Sequence, residues 1–186
     1  MFKFIRNKKV IAIISVTLVA AFLLGLRLTY FSARQKDSRA KYYYAEASQR
    51  VYSDPRTAEK FFVRAVRNDR DNAGYLWQLA VMEARNGNYK NAAKNYDKVL
   101  KAAPTAKSYW EAGNVYLSLD KSNVAKGYFR KSIEIDPKFE DSYYSLAKNL
   151  EAEGSREEAT ALLKDGLMTN PKSEKLNSLL LEIQTR

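Results

Sequence analysis

The sequence predicts an all-α protein in which one N-terminal membrane helix precedes a solenoid of about four helical hairpins and a C-terminal capping helix. Two observations predict this fold. Pro104, Pro137 and Pro171 recur 33 and 34 residues apart, and a fixed period of that length indicates stacked repeats rather than one globular core. In addition, residues 10–26 form an uncharged apolar run that nearly suffices to cross a bilayer as a helix.

The membrane helix is predicted over residues 10–31, after a basic flank at residues 1–9. Tyr30 and Phe31 extend the apolar run and suit the aromatic belt that forms at a membrane surface. Arg27 falls inside the predicted helix, where its flexible side chain can carry its charge outward to the interface. We therefore expect residues 10–31 to contact membrane lipid.

A cleaved signal peptide is the main alternative to an anchor. The basic flank would form its positively charged start, and Val-Ala-Ala at residues 19–21 has the small side chains of a cleavage site. Residues 22–26 are still strongly apolar, however, whereas a short polar stretch normally precedes cleavage. An uncleaved anchor is therefore favoured.

The positive charge is concentrated near the N-terminus. Residues 1–41 carry nine lysines and arginines against one acidic residue, whereas residues 42–186 carry 23 against 20. A nucleic-acid-binding domain would concentrate its charge on the folded part, so we expect no nucleic-acid partner. The cations before the apolar run favour a cytoplasmic N-terminus, which places the repeats in the periplasm of a Gram-negative cell, although cations also follow the run.

The repeats are predicted to follow a juxtamembrane linker at residues 32–40. Each unit begins with an amphipathic helix, as Leu76, Ala80 and Glu83 illustrate with the i, i+4, i+7 spacing of one helix face. The second helix of the unit is followed by the periodic proline, which prevents it from continuing. The predicted domain is residues 41–186, with units at 41–72, 73–105, 106–139 and 140–173 and a capping helix at 174–185.

Two further columns of residues keep the same interval. One is an alanine of each second helix, and the other lies in the turn between the two helices of a unit. Their members are Ala92, Ala125 and Ala159, and Gly87, Asp120 and Gly154. Together with the prolines, these columns resemble the tetratricopeptide repeat, which has a 34-residue period and a closing proline.

The first unit, residues 41–72, departs from this pattern. Its second helix fits, and Asp54 followed by Pro55 is typical of a helix start. Its first helix fits only with a shorter turn, and Arg70 stands where the proline should be. The packing positions of that first helix would be Tyr44, Ala47, Ser48 and Val51.

The resemblance implies a concave surface lined by the first helices of the units. In this family, the position that follows the leading packing residue faces that surface, and here it holds a periodic aromatic residue. Such rings are frequent interface anchors, and packing between adjacent repeats explains their period equally well. The candidate partner-binding residues are Trp77, Val81, Arg85, Trp110, Asn114, Leu117, Tyr144 and Lys148.

The composition argues against catalysis. The chain has no histidine and no cysteine, which removes the commonest general base and the thiolate metal ligands. The glutamates between residues 151 and 158 do not form a convergent acid–base pair, and no phosphate-binding or nucleophile motif is present. We therefore predict no enzyme activity, no catalytic residue, no metal and no cofactor.

The predicted function is a membrane-anchored scaffold for protein–protein interaction. It would recruit or stabilise protein or peptide partners during assembly of an envelope, secretion, pilus or other membrane complex. Its predicted location is the inner membrane of a bacterium, with the repeats on the periplasmic side. The alternative is a permanent structural subunit of a larger membrane complex.

Overall fold

The computed structural model describes residues 8–185, with side chains from residue 14 onward. The predicted all-α fold is confirmed, and residues 1–7 of the predicted basic flank lie outside the described part. Within that part, consecutive helices pack as antiparallel hairpins. The helices are α1 (Lys8–Arg50), α2 (Pro55–Asn68), α3 (Ala73–Arg85), α4 (Tyr89–Ala102), α5 (Ala106–Leu117), α6 (Ser122–Ile135), α7 (Glu140–Ala152), α8 (Arg156–Thr169) and α9 (Glu174–Thr185).

The helix α1 is much longer than the others. It has 43 residues, which corresponds to about 65 Å at 1.5 Å per residue. Its portion Ile14–Arg50 contains an 18-residue window with a mean hydropathy of 1.8, none of which is buried within the chain. Such a segment is long and apolar enough to cross a bilayer. The predicted linker, residues 32–40, is helical throughout and continues into the first hairpin without a break.

The first hairpin forms although it lacks the closing proline. Asp54 caps α2 by accepting a hydrogen bond from the backbone N–H of Thr57 at 3.1 Å, and Pro55 is the first helical residue, as predicted. The helix α2 ends at Asn68, two residues before Arg70. The other second helices likewise end two residues before their prolines, so the break recurs at the same register in all four units.

One of the packing positions expected in the first unit is wrong. Ala47 is fully buried, as expected, but Ser48 is exposed and donates its hydroxyl to the carbonyl of Tyr44 at 2.9 Å. Ala40, which lies in the predicted linker, is fully buried. The packing stripe of α1 is therefore Ala40, Tyr44 and Ala47, at the spacing of one helix face, and it begins inside the predicted linker.

The turns within the units explain the column of Gly87, Asp120 and Gly154. All three residues have positive φ, at 80°, 56° and 83°, a conformation that favours glycine and tolerates aspartate. The residue that follows each of them donates its N–H back to the end of the first helix, as Asn88 does to the Glu83 carbonyl at 2.7 Å. This bond closes each first helix and reverses the chain direction.

Small residues allow the two helices of a unit to cross closely. Ala80, Gly113 and Ala147 are buried at these crossings. A Cβ atom on Gly113 would lie 2.5 Å from the ring of Phe129, so this crossing accepts only glycine without movement. At the end of the array, α9 packs its predicted apolar face on the last hairpin, and its buried residues are Leu176, Leu179 and Ile183.

Candidate partner-binding groove

An open cleft of about 260 Å³ lies between the first helices α3 and α5, and α4 contributes Tyr89 and Tyr96 to its lining. Four of the eight predicted residues lie in it: Val81 and Arg85 come from α3, and Trp110 and Asn114 come from α5. The cleft also contains Glu111, which the sequence analysis did not select. The other four candidates, Trp77, Leu117, Tyr144 and Lys148, lie outside this cleft.

The two tryptophans connect successive repeats. The indole N–H of Trp77 donates to the carboxylate of Glu111, and that of Trp110 donates to the hydroxyl of Ser145 at 2.9 Å. Each bond reaches the first helix of the next unit. The polar atom of each ring therefore serves repeat stacking, while the half-buried Trp110 ring also lines the cleft.

Trp77 lies in a neighbouring cleft of about 240 Å³. The wall of that cleft includes Gly74 and Val99, and Lys107 holds its Nζ atom 5.1 Å from the centre of the Trp77 ring. A cation at this distance is attracted to the face of an indole ring. Trp77 therefore already contacts a cation and a carboxylate of its own chain.

Tyr144 and Lys148, near the C-terminal end of the array, each contact a charged side chain of the same chain. The ammonium group of Lys175, on α9, lies 4.6 Å from the centre of the Tyr144 ring and also pairs with Asp141. Lys148 pairs with Glu151 at 3.3 Å. The Lys175 contacts belong to the junction of α7 with the capping helix, and the Lys148 pair lies within α7. Both are separate from the cleft between α3 and α5.

The base of the cleft carries a carboxylate, and its rim carries an exposed cation. Burial raises the pKa of the Glu111 carboxyl, and the hydrogen bond from Trp77 opposes that effect by favouring the ionised form. The Tyr96 hydroxyl is a second donor, 3.4 Å from the carboxylate. At the rim, Arg85 is exposed and lies 5.5 Å from the ring of Tyr52.

This arrangement suits binding more than chemistry. Val81, Val115 and Trp110 supply apolar surface, and Glu111 and Asn114 supply hydrogen-bonding groups beside it. Among the described residues, no group of three or more histidine, cysteine, aspartate or glutamate side chains could hold a metal ion. The cleft can therefore accept a short peptide segment that presents an apolar side chain and backbone or side-chain donors.

Glu111 belongs to a periodic column that can be recognised in the sequence. Glu111 directly follows the periodic aromatic position at Trp110, in the column of Gln78 and Ser145. A carboxylate in that column can meet the aromatic residue of the preceding unit, as it does at Trp77. The pairing was not predicted because it depends on the rotation between adjacent hairpins.

Comparison with known proteins identifies the repeats. A family model described as tetratricopeptide repeat matches residues 73–105 and 106–139, which are the second and third predicted units. Residues 73–139 therefore match two tetratricopeptide repeats. The two matched units include α3 to α6, and therefore both walls of the cleft.

A curated relative shares part of this array. Over 104 residues, the chain is 33% identical to the tetratricopeptide repeat and J domain-containing co-chaperone DNJ1 of Cryptococcus neoformans. The match covers 55% of this chain and 20% of that protein. The chain thus corresponds to one fifth of this relative.

Solved structures support the solenoid over most of the chain. A solved chain of MamA from Desulfovibrio magneticus, which begins at its residue 41, superposes with a TM-score of 0.70 at 21% identity, covering 80% of this chain and 85% of that one. YrrB, described as a tetratricopeptide repeat protein with an unusual peptide-binding site, superposes with a TM-score of 0.61 at 18% identity, covering 77% and 85%. At these identities the likeness concerns the fold alone.

Proposed function

We propose that this chain is a membrane-anchored scaffold that binds a peptide segment of a partner protein in the cleft between α3 and α5. The N-terminal part of α1 is the anchor. The scaffold recruits or stabilises partners during assembly of an envelope, secretion, pilus or other membrane complex. Its location is the inner membrane of a bacterium, with the repeats on the periplasmic side.

The observation that carries the proposal is the composition of the cleft. It combines an indole ring and two valines with the carboxylate of Glu111 and the amide of Asn114, and Arg85 lies at its rim. Buried aromatic surface beside a few polar groups is the usual character of an interface centre. These groups also lie on two rigid helices, so that binding would order few of them and cost little conformational entropy.

The anchor supports the proposal through local concentration. From residue 14 to residue 31 the apolar side chains of α1 are exposed, among them Phe22, Leu23 and Leu28 at 57–67% exposure. Large exposed apolar surface of this kind requires a lipid or protein environment. A scaffold tethered in the bilayer meets membrane-bound partners at high effective concentration, so that a modest affinity of the cleft suffices.

The test compares two valine substitutions. Val81 lies on the wall of the cleft, whereas Val124 lies on α6 and is 42% exposed. The full chain is purified in mild detergent, and co-purifying proteins are measured by quantitative mass spectrometry. We expect Val81→Gln to reduce recovery of the partner about 30-fold, the effect of losing a 2 kcal/mol interface contact, and Val124→Gln to leave it unchanged.

Alanine substitution of the tryptophans is a poorer test. Both rings donate hydrogen bonds to the next repeat, so their removal would weaken the array together with the cleft. Equal recovery of partners by both valine variants would refute the cleft as the binding site. A stoichiometric, salt-resistant assembly that survives Val81→Gln would instead indicate a permanent structural subunit.

The topology requires a separate measurement. The chain has no cysteine, so a single cysteine introduced at exposed Ser53 provides one site for a membrane-impermeant thiol reagent. We expect labelling from the periplasmic side in intact spheroplasts. Labelling only after the membrane is permeabilised would place the repeats in the cytoplasm.

A further inference from the structure

Exposed cations are concentrated at the end of the first hairpin that is nearest to the apolar part of α1. We call this group the basic collar and define it by four residues of α1 and three that lie on or just after α2. All seven side chains are exposed. They are Arg34, Lys36, Arg39, Lys41, Arg64, Arg67 and Arg70.

The antiparallel hairpin brings the α2 cations toward the membrane end of α1. Ala47 lies in the same buried cluster as Ala58, and the guanidinium of Arg64 lies 5.7 Å from the centre of the Tyr43 ring. Residues later in α2 therefore lie beside residues earlier in α1. The last turn of α2 is consequently level with the stretch of α1 that carries the other collar residues.

The collar lies within electrostatic reach of a bilayer that surrounds α1. With Phe31 at the interface, the α1 residues beside the last turn of α2 are about 10 Å further along the helix, at 1.5 Å per residue. The polar headgroups add several ångströms to the hydrocarbon core. Electrostatic attraction extends over about 8 Å at physiological salt, so collar side chains that extend toward the membrane meet the headgroup region.

Positive charge exceeds negative charge at this end of the protein. The seven collar residues are accompanied by three acidic residues, Asp37, Asp69 and Asp71, which leaves a net charge of +4. Asp37 pairs with Lys41 at 2.8 Å, and Asp69 accepts a hydrogen bond from the side chain of Asn72 at 3.0 Å. The arginines of α2 form none of these contacts with acidic groups.

The positive edge continues into the second unit. Arg70 lines a surface cleft together with Lys98 and Lys101, near the C-terminal end of α4. The second helices of successive units run in the same direction, so this end of α4 lies on the same side as the end of α2. The charged edge is therefore broader than the diameter of α1.

We propose that the basic collar binds the anionic phospholipid headgroups of the bilayer that anchors α1, and thereby holds the solenoid against the membrane surface. This inference rests on the membrane anchor proposed above. An anionic bilayer is favoured over an acidic protein because α1 runs unbroken from the apolar segment into the collar. Headgroups are then the anions nearest to the collar, and each lysine or arginine near such a surface adds to the attraction.

The test measures the distance of two labels from the headgroups. The full chain is reconstituted in lipid nanodiscs, and a fluorophore is attached to a single cysteine introduced by Ala102→Cys or Ser53→Cys. Both positions are exposed, and Ala102 lies beside Arg70 in the cleft just described, whereas Ser53 lies in the turn at the opposite end of the hairpin. A headgroup-attached quencher reports proximity.

Because α1 by itself holds position 102 nearer to the headgroups than position 53, the collar is tested by the change in quenching at position 102. We expect quenching at position 102 to be stronger in discs that contain phosphatidylglycerol than in phosphatidylcholine or at high salt, with position 53 as the reference. Replacing Arg64, Arg67 and Arg70 with glutamine should lower the ratio of solenoid held at the membrane surface to solenoid away from it about 100-fold, since each cation near the surface contributes about fivefold. The matched control replaces Lys90, Lys94 and Arg156, which are exposed cations at or near the opposite ends of second helices, and should have no effect.

The outcomes separate this inference from the proposed function. A chain that fails to co-migrate with the discs refutes the anchor, and the collar proposal with it. A chain that integrates but shows the same quenching at position 102 in both lipids, or is insensitive to the arginine substitutions, refutes the collar proposal alone. If those substitutions remove a co-purifying acidic protein without altering quenching, the collar is a protein-binding surface. Thermal unfolding followed by circular dichroism verifies that each variant is folded.

Discussion

Glu83 provides a quantitative test of the packing between α3 and α4. Its side chain is 5% exposed and its carboxylate accepts a hydrogen bond from the Asn95 amide at 2.8 Å. Burial raises the pKa of this carboxyl from 4.5 to about 6, and the hydrogen bond from Asn95 only partly opposes that effect. We predict that Glu83→Gln stabilises the protein at neutral pH, because glutamine keeps an acceptor for Asn95 without a buried charge.

The raised pKa of Glu83 determines both the size and the sign of the stability difference between the native protein and the glutamine variant. At pH 4 the carboxyl is mostly protonated in both the folded and the unfolded chain, so the two proteins should differ little in the free energy of unfolding. As the pH rises from 4.5 through about 6, the unfolded chain ionises first, and the native glutamate loses stability relative to the glutamine variant. Above that range the difference reaches about 2 kcal/mol, since one pH unit corresponds to 1.36 kcal/mol.

The assay is urea unfolding of the full chain in mild detergent at a series of pH values. The only two tryptophans, Trp77 and Trp110, report on the second and third units through their fluorescence. Equal slopes of free energy against urea are required before midpoints are compared. Glu157→Gln, at an exposed position of α8, is the matched control for a glutamate-to-glutamine change without burial. A stability difference for Glu83→Gln that is the same at pH 4 and pH 7 would refute the reasoning.

Two further predictions concern packing in the third unit. Gly113→Ala should cost about 1–3 kcal/mol of unfolding free energy, because the added Cβ would lie 2.5 Å from the Phe129 ring. Gly127→Ala is the control: its added Cβ meets nothing within 4 Å, so it should stabilise α6 by up to about 1 kcal/mol. Thermal unfolding distinguishes the two variants, and equal shifts in their midpoints would contradict the close crossing. Ser132→Ala should cost about 1–3 kcal/mol, because the fully buried hydroxyl donates to the Ala106 carbonyl at 2.6 Å, and an unchanged urea midpoint would show that this bond contributes nothing.

The periodic features were predictable because local physics determines each of them. A residue with positive φ closes the first helix of the second, third and fourth units, which explains why glycine or aspartate recurs at Gly87, Asp120 and Gly154. A break in the same register closes every second helix, and small residues mark the close crossings. Each feature depends on a few neighbouring residues, so it can be read from sequence spacing without knowledge of the tertiary arrangement.

The groove was only partly predictable because it depends on how adjacent units rotate. That rotation sets which residue of the next unit each tryptophan meets, and the two partners, Glu111 and Ser145, occupy one column with different chemistry. The assignment of Trp77 and Tyr144 to the binding surface remains a prediction. Their contacts with Lys107 and Lys175 show that periodic rings here also have structural partners within the chain.

The continuity of α1 had a signal that the sequence analysis did not use. Residues 26–54 contain neither glycine nor proline, the two residues that most often end a helix. The stretch from Arg34 to Lys41 is strongly polar, which suggested a linker, but a polar helix can persist when it extends a packed one. The first hairpin provides that packed part, beginning at the buried Ala40.

An unbroken α1 fixes the direction in which the cleft faces relative to the membrane helix, and this leads to a final prediction. Insertion of one alanine after Gln35, in the exposed part of α1, rotates the solenoid by about 100° about the helix axis. Insertion of seven alanines rotates it by about two full turns less 20°, which nearly restores the original orientation, and moves it about 10 Å further from the membrane. If the partner is held in the same membrane, the single insertion should abolish its recovery and the seven-residue insertion should largely restore it. The longer insertion should still separate the α2 arginines from the headgroups, because 10 Å exceeds the screening length. Equal recovery of the partner by both insertion variants would show that the orientation of the cleft does not depend on α1.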